Sequence, residues 1–351
     1  MKTVLNRVNT DILKQPMFLG EDLGLQRYDI VKYPEFKKSY LDQQKQFWRP
    51  NEIALNSDRG QFEILSKEEK FIFVNNLMFQ TMGDSCLSRT IDNLKKHVSN
   101  SELEYAMNCW LFMENVHSES YTHILQNITK DPSEFFADIY DNQAVMNRAK
   151  EITTEFDKLL GESSDLKEDI FNTVLSLQIA EGILFYVSFA CSYWFGSRGI
   201  MKGNANIIKL INNDESLHVA ITQNIMNNWK KDPSEGFQEI IKENEHKIYA
   251  AYELAVANEK NWSKHLFSNG SLLGLNEEIM NNYVEWLANI RLRSLGYDKI
   301  YQQPHNPLGG WIKEYINSDQ TETAPQENNI LDYVKGGIKN DLNSIDIKFE
   351  L

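Results

Sequence analysis

Two segments of this chain carry a carboxylate and an imidazole three residues apart: Glu114-Asn115-Val116-His117 and Glu215-Ser216-Leu217-His218. At 3.6 residues per helical turn, positions i and i+3 share a face, so each segment presents both groups side by side. Each pair also lies on an apolar stripe. One stripe reads Leu103, Met107, Trp110, Glu114, His117, Tyr121, Ile124; the other reads Ile207, Ile211, Glu215, His218, Thr222, Ile225. Two more acids sit on stripes of the same kind. Asp84 falls among Leu77, Gln80, Leu87 and Ile91, and Glu181 among Val174, Leu177, Phe185 and Ser188. Burying a neutral polar group without a partner costs about 2–7 kcal/mol, and an unpaired charge costs more. A bound metal pair relieves that cost for all six groups at once.

The chain order is carboxylate, Glu-x-x-His, carboxylate, Glu-x-x-His, matching the ligand set of ferritin-like dinuclear carboxylate proteins. Four carboxylates balance two divalent cations, and oxygen-rich ligands with two imidazoles suit iron or manganese. The chain has seven histidines, so one Glu-x-x-His alone would say little. A third match, Glu243 to His246, sits beside Lys242, Glu245 and Lys247 and describes a solvated helix face. The plain alternative for any single pair is a satisfied core residue; four acids and two histidines in register on four helices argue against it.

Long helices must position these groups. Ser66 with Glu69 makes a capping box opening a helix to about His97, and Ser101 with Glu104 makes another that runs to Asp131-Pro132. Further helices are predicted from about Pro34 to Trp48, Gln143 to Leu160, Leu166 to Phe195, Ala205 to Lys230, Pro233 to Trp262 and Glu277 to Leu295. No convincing strand is found, so the fold class is all-α, an elongated helical bundle. The division follows composition: residues 1–65 form an arm and first helix, 66–317 the helical body, and 318–351 a polar tail. That tail retains Tyr333 and ends with Ile345, Ile347, Phe349 and Leu351 alternating with polar residues, a pattern suited to docking on a partner.

The 351 residues are 42% hydrophobic, enough for a large core, and the net charge of -14 argues against nucleic-acid binding. Three cysteines (Cys86, Cys109, Cys191) make no disulfide framework and point to a reduced cytoplasmic setting. The first 17 residues lack the apolar core of a signal peptide. The longest apolar run, Ile183 to Phe195, is too short to span a bilayer. No membrane association is expected.

With these six residues in place, the chain resembles the small, radical-generating β subunit of class I ribonucleotide reductase. Three more segments carry the resemblance: Tyr121, one turn beyond His117; Phe47-Trp48-Arg49-Pro50; and Phe185-Tyr-Val-Ser-Phe189-Ala-Cys-Ser. The likeness extends to Ala324-Pro-Gln-Glu327 in the tail. It implies a ferritin-like homodimer in which Asp84, Glu114 and His117 hold one metal and Glu181, Glu215 and His218 the other, with carboxylates bridging. It implies two iron ions per chain, with manganese as the other option, and dioxygen for activation. Tyr121 would be oxidised to a neutral radical inside a dry pocket of Phe185, Phe189 and Ile211. Trp48, Asp214 and Tyr333 would carry the radical equivalent to a catalytic α subunit that docks the tail and reduces ribonucleotides. On the residues alone, Phe185, Phe189 and Ile211 read as plain core rather than as a pocket, and the plain reading of Asp214 is a surface carboxylate. Three departures stand out: the segment from Leu160 to Leu166 is short where some relatives insert a hairpin, Asn213 stands where some relatives carry arginine, and Met113 precedes Glu114 where others have a small polar residue. The same metal set would also serve an oxygenase or acyl desaturase, or a ferroxidase or iron-storage protein. Asp at position 84 together with Tyr121 argues against the oxygenases, and cage assembly would mark a storage protein.

Overall fold

A computed structural model describes residues 5–8, 10–161 and 163–316. Among these residues there is no sheet, only the isolated bridges Phe18–Val98 and Leu272–Leu275. Helices α1 (Pro34–Lys45) and α2 (Asp58–Ile64) precede two long ones, α3 (Lys67–Lys95) and α4 (Ser101–Ile128). Next come α5 (Pro132–Asp141), α6 (Gln143–Phe156) and α7 (Leu166–Ile179). A π turn, Ala180–Leu184, joins α7 to α8 (Tyr186–Ser197). The remaining helices are α9 (Lys202–Lys231), α10 (Gln238–Glu243), α11 (Glu245–Leu266), α12 (Glu277–Ser294) and the short α13 (Lys313–Ile316).

Four helices make the central bundle: α3, α4, the α7–α8 unit and α9, each packed on its neighbours. Every residue of the four predicted stripes is buried. Around this bundle α1 lies on α4 and α9, α6 on α3 and α7, and α11 and α12 on each other and on the π turn. Met17, Phe18, Phe36, Trp48 and Leu55 from the N-terminal segment enter the same core. The tail from residue 317, with Tyr333, Phe349 and Leu351, lies outside the described residues. Leu166–Ser197 is long and apolar enough to cross a membrane by length and composition, and 94% of its apolar window is buried in the bundle.

Local signals set the helix starts. Ser66 Oγ accepts from the Glu69 N–H at 3.1 Å while Glu69 Oε2 accepts from the Ser66 N–H at 2.8 Å, the predicted capping box. At α4 the cap is Asn100, whose Oδ1 accepts from Leu103 N at 2.9 Å, rather than the expected Ser101. Asparagine caps as well as serine, and here it starts the helix one residue earlier. Four longer predictions break in the structure, the one from Leu166 to Phe195 at the π turn just described. The segment from Pro34 to Trp48 stops at Lys45, α6 ends at Phe156 in a 3-10 turn, and Gly236 (φ +75°) with Asn244 divides the stretch from Pro233 to Trp262.

The start of α9 depends on a contact from far away in sequence. The chain enters it through Met201 at φ +49°, and the N–H groups of Gly203 and Asn204 donate to the Asp58 carboxylate of α2 at 3.2 and 2.7 Å. Any side chain at position 203 would meet Ala54 O at 2.6 Å, so glycine is required for this approach. Asp58 therefore caps, from another helix, the element that carries Glu215 and His218.

Candidate metal centre

Asp84 comes from α3, Glu114 and His117 from α4, Glu181 from the π turn, and Glu215 and His218 from α9; all six are fully buried. Their donor atoms form two overlapping groups: Asp84, Glu114, His117 and Glu215, and Glu114, Glu181, Glu215 and His218. Within each group the atoms lie within 4.8 Å of one another. Glu114 and Glu215 belong to both, the position a bridging carboxylate occupies.

Both imidazoles turn Nδ1 inward. His117 Nδ1 lies 3.7 Å from Asp84 Oδ2, 3.7 Å from Glu114 Oε2 and 3.2 Å from Glu215 Oε1. His218 Nδ1 lies 3.3 Å from Glu114 Oε1, 3.6 Å from Glu181 Oε2 and 3.0 Å from Glu215 Oε2. Several of these lone pairs have no hydrogen-bond partner: Asp84 Oδ1, Glu114 Oε2, His117 Nδ1, both oxygens of Glu181, and Glu215 Oε1. Burial, and the repulsion of neighbouring carboxylates, push Asp84 and Glu181 well above the usual carboxylate range and Glu215 up to about 7. Clustered acceptors without donors, fully buried in the core, fit divalent cations. The discarded Glu243 and His246 are exposed and lie on different helices.

The opposite edge of His117 is equally well defined. Its Nε2 lies 3.1 Å from Asp214 Oδ2, and the same oxygen accepts from Trp48 Nε1 at 2.8 Å. Trp48 and Asp214 are each 1% exposed, so Asp214 is no surface carboxylate. With Nδ1 facing the carboxylates, the proton belongs on Nε2, donated to Asp214. Burial disfavours charge on His117, but Asp214, Glu114 and Glu215 outweigh it and raise its pKa.

Tyr121 donates to Asp84 Oδ2 at 2.7 Å and is fully buried. Burial and the Asp84 charge hold its phenol well above its ordinary pKa. Phe185, Phe189 and Ile211 are at most 1% exposed. Phe185 stacks on Phe189 at 5.8 Å between centroids and lies against Gly83, where a Cβ would meet Phe185 Cζ at 2.7 Å. The glycine beside Asp84 thus lets an aromatic ring pack against the backbone of a candidate ligand.

Sequence reasoning passed over Trp110. Its Nε1 donates to Glu114 Oε1 at 2.9 Å, and its ring lies 5.0 Å from that of His218. Its position one turn before Glu114 on the same stripe was a usable signal, hidden because tryptophan also reads as plain core.

Fold and site together define a helical bundle built to hold two metal ions between carboxylates and imidazoles, with an oxidisable tyrosine hydrogen-bonded to one of those carboxylates. Residues 27–307 match the family model described as "Ribonucleotide reductase, small chain". The chain is 39% identical to the ribonucleoside-diphosphate reductase subunit beta of Buchnera aphidicola subsp. Baizongia pistaciae, over 99% of each protein. It superposes on the ribonucleotide reductase R2 subunit from Clostridium botulinum with a TM-score of 0.82 at 26% identity, covering 90% of this chain and 98% of that one. The fold is shared also with dimanganese(II)-NrdF of Streptococcus sanguinis (TM-score 0.71, 23% identity, 83% of this chain and 98% of that one). The chain belongs to the ribonucleotide reductase small-chain family and is a small subunit of the class I enzyme. As such it has a dinuclear metal site, forms a homodimer and works with a large subunit. Family membership sets aside the desaturase and storage alternatives.

Proposed function

We propose that Asp84, Glu114, His117, Glu181, Glu215 and His218 would hold two iron ions, with Glu114 and Glu215 common to both groups of donors, and that Tyr121 stores the radical. The observation that carries this is the 2.7 Å hydrogen bond from Tyr121 to Asp84, a member of the metal-binding cluster. When bound, the iron pair supplies, with dioxygen, the oxidising equivalent that takes one electron from Tyr121. Asp84 Oδ2 is placed to receive the phenolic proton as that electron leaves, so the product is a neutral radical. Phe185, Phe189 and Ile211 keep water and reductants away from it. Trp48, Asp214 and His117, linked through the shared Asp214 Oδ2, relay an electron inward from the large subunit to the Tyr121 radical during turnover, and the phenol regains its proton from Asp84.

The relatives are named as ribonucleoside-diphosphate reductases, which supports diphosphates as the substrates of the assembled enzyme. The donor set suits iron and manganese alike, and the choice of iron follows the general affinity order, in which Fe2+ lies above Mn2+ at a given site. Adding ferrous iron and air to the metal-free protein is expected to give about two metals per chain and a tyrosyl signal in electron paramagnetic resonance. Bound iron with no radical would overturn the choice of iron, and manganese reconstitution would follow.

The tail is the docking element for the large subunit in this reading, with Tyr333 passing the radical equivalent and Phe349 and Leu351 anchoring the peptide. A chain ending at Ser344 is expected to form the Tyr121 radical normally yet bind the large subunit at least ~10-fold more weakly, a loss of about 1.4 kcal/mol or more. Unchanged affinity in a titration would reject that role.

A further inference from the structure

Glu181 differs from the other candidate ligands in standing on a π turn rather than a regular helix. A π turn pairs each N–H with a carbonyl five residues back, which adds a residue to the helix and disturbs the ladder around it. Buried backbone carbonyls in such a segment need other donors. Here two arginines from other helices supply them. Arg291 of α12 donates from Nε to Gly182 O at 3.1 Å and from Nη2 to Tyr186 Oη at 2.7 Å. Arg148 of α6 donates from Nη2 to Leu184 O and to the carboxylate of Glu259 on α11. The two clamped carbonyls thus lie one and three residues beyond Glu181.

The surroundings are shaped for these contacts. A Cβ at position 182 would lie 3.2 Å from Arg291 Nε, so glycine lets the guanidinium reach the backbone. Arg148 is 5% exposed and its guanidinium lies between Phe79 and Trp262, 3.9 and 4.8 Å from their ring centroids. Its Nε and Nη1 have no partner. A buried guanidinium with most donors unused is a costly way to fill space, and an apolar side chain would pack there without that penalty. Its contacts to Leu184 O and to the buried Glu259 carboxylate account for it.

We propose that Arg148 and Arg291 are positioning residues that clamp the π turn and thereby aim Glu181 at the metal pair. Without them the segment can relax toward regular α-helix, and a shift of one residue rotates a side chain by about 100° around the axis. The consequence is asymmetric. Glu181 belongs only to the group with Glu114, Glu215 and His218, whereas the group with Asp84 and His117 does not use it. Loss of the clamp therefore disables one metal position and spares the other.

This inference rests on the ligand assignment above, so wild-type protein is measured alongside the variants. The test is anaerobic equilibrium dialysis of the full-length metal-free chain against ferrous iron, with amide hydrogen exchange across residues 180–187. Arg291→Gln is expected to bind the first iron as wild type does and the second about 10- to 100-fold more weakly, with faster exchange in the π turn and unchanged exchange in α3 and α4. Arg291→Lys, which keeps a cationic donor on a side chain long enough to reach the backbone where the glutamine amide is shorter, is expected to recover most of the second site. The double variant Arg148→Met with Glu259→Met removes both buried charges together and is expected to show the same selective loss. Two wild-type-strength sites in Arg291→Gln and in the double variant, or equal weakening of both sites, would overturn the clamp while leaving the ligand assignment standing. Wild-type protein that fails to bind two irons would overturn both.

Discussion

Tyr121→Phe is expected to abolish the tyrosyl signal completely while the protein still binds about two irons per chain. Phenylalanine keeps the ring in its fully buried site and removes only the hydroxyl that donates to Asp84 Oδ2. The net contribution of one such hydrogen bond is about 1 kcal/mol, roughly 1.5–3 when the acceptor is charged, so the fold survives. The redox function does not, because phenylalanine has no O–H whose proton can leave with the electron. Turnover with the large subunit falls to background. The spectrum and an iron count on the same sample check this. A persistent signal would place the radical on another of the chain's 15 tyrosines and remove Tyr121 from the proposed mechanism.

Trp48→Phe is expected to leave radical formation at Tyr121 intact and still reduce turnover with the large subunit to background. The substitution keeps an aromatic ring near His117, at 6.5 Å between centroids in the native protein, but deletes the N–H that reaches Asp214. Tyr121 and all six candidate ligands are untouched. Asp214→Ala behaves differently, because Asp214 also accepts from His117 Nε2 and holds that ring's tautomer. Losing such a partner lowers metal affinity about 10- to 100-fold, so this variant should need more iron to reach the same radical yield. Measuring radical content and turnover separately distinguishes the two. Normal turnover in Trp48→Phe would exclude it from the relay, and an unchanged iron titration in Asp214→Ala would mean His117 needs no support.

Much of the site was legible before any coordinates. Asp84, Glu114, His117, Glu181, Glu215 and His218 each interrupt an apolar stripe, and helical periodicity assigns a residue to a face with no knowledge of its partners. The all-α class and the capping box at Ser66 follow from the same local rules. What periodicity cannot do is say how four stripes meet. Only the packed bundle makes Glu114 and Glu215 common to both ligand groups, and only there do Asp214 and Trp48, far apart in sequence, share one oxygen with His117. The break beneath Glu181 was hidden for the same reason. Leu166 to Phe195 reads as one helix because each of its residues suits a helix. The π turn is held by Arg148 and Arg291, at sequence distances of 36 and 109 residues from the carbonyls they meet. Local propensity selects the faces that carry ligands; contacts between distant helices decide which atoms converge, because their energies exist only after the chain has packed.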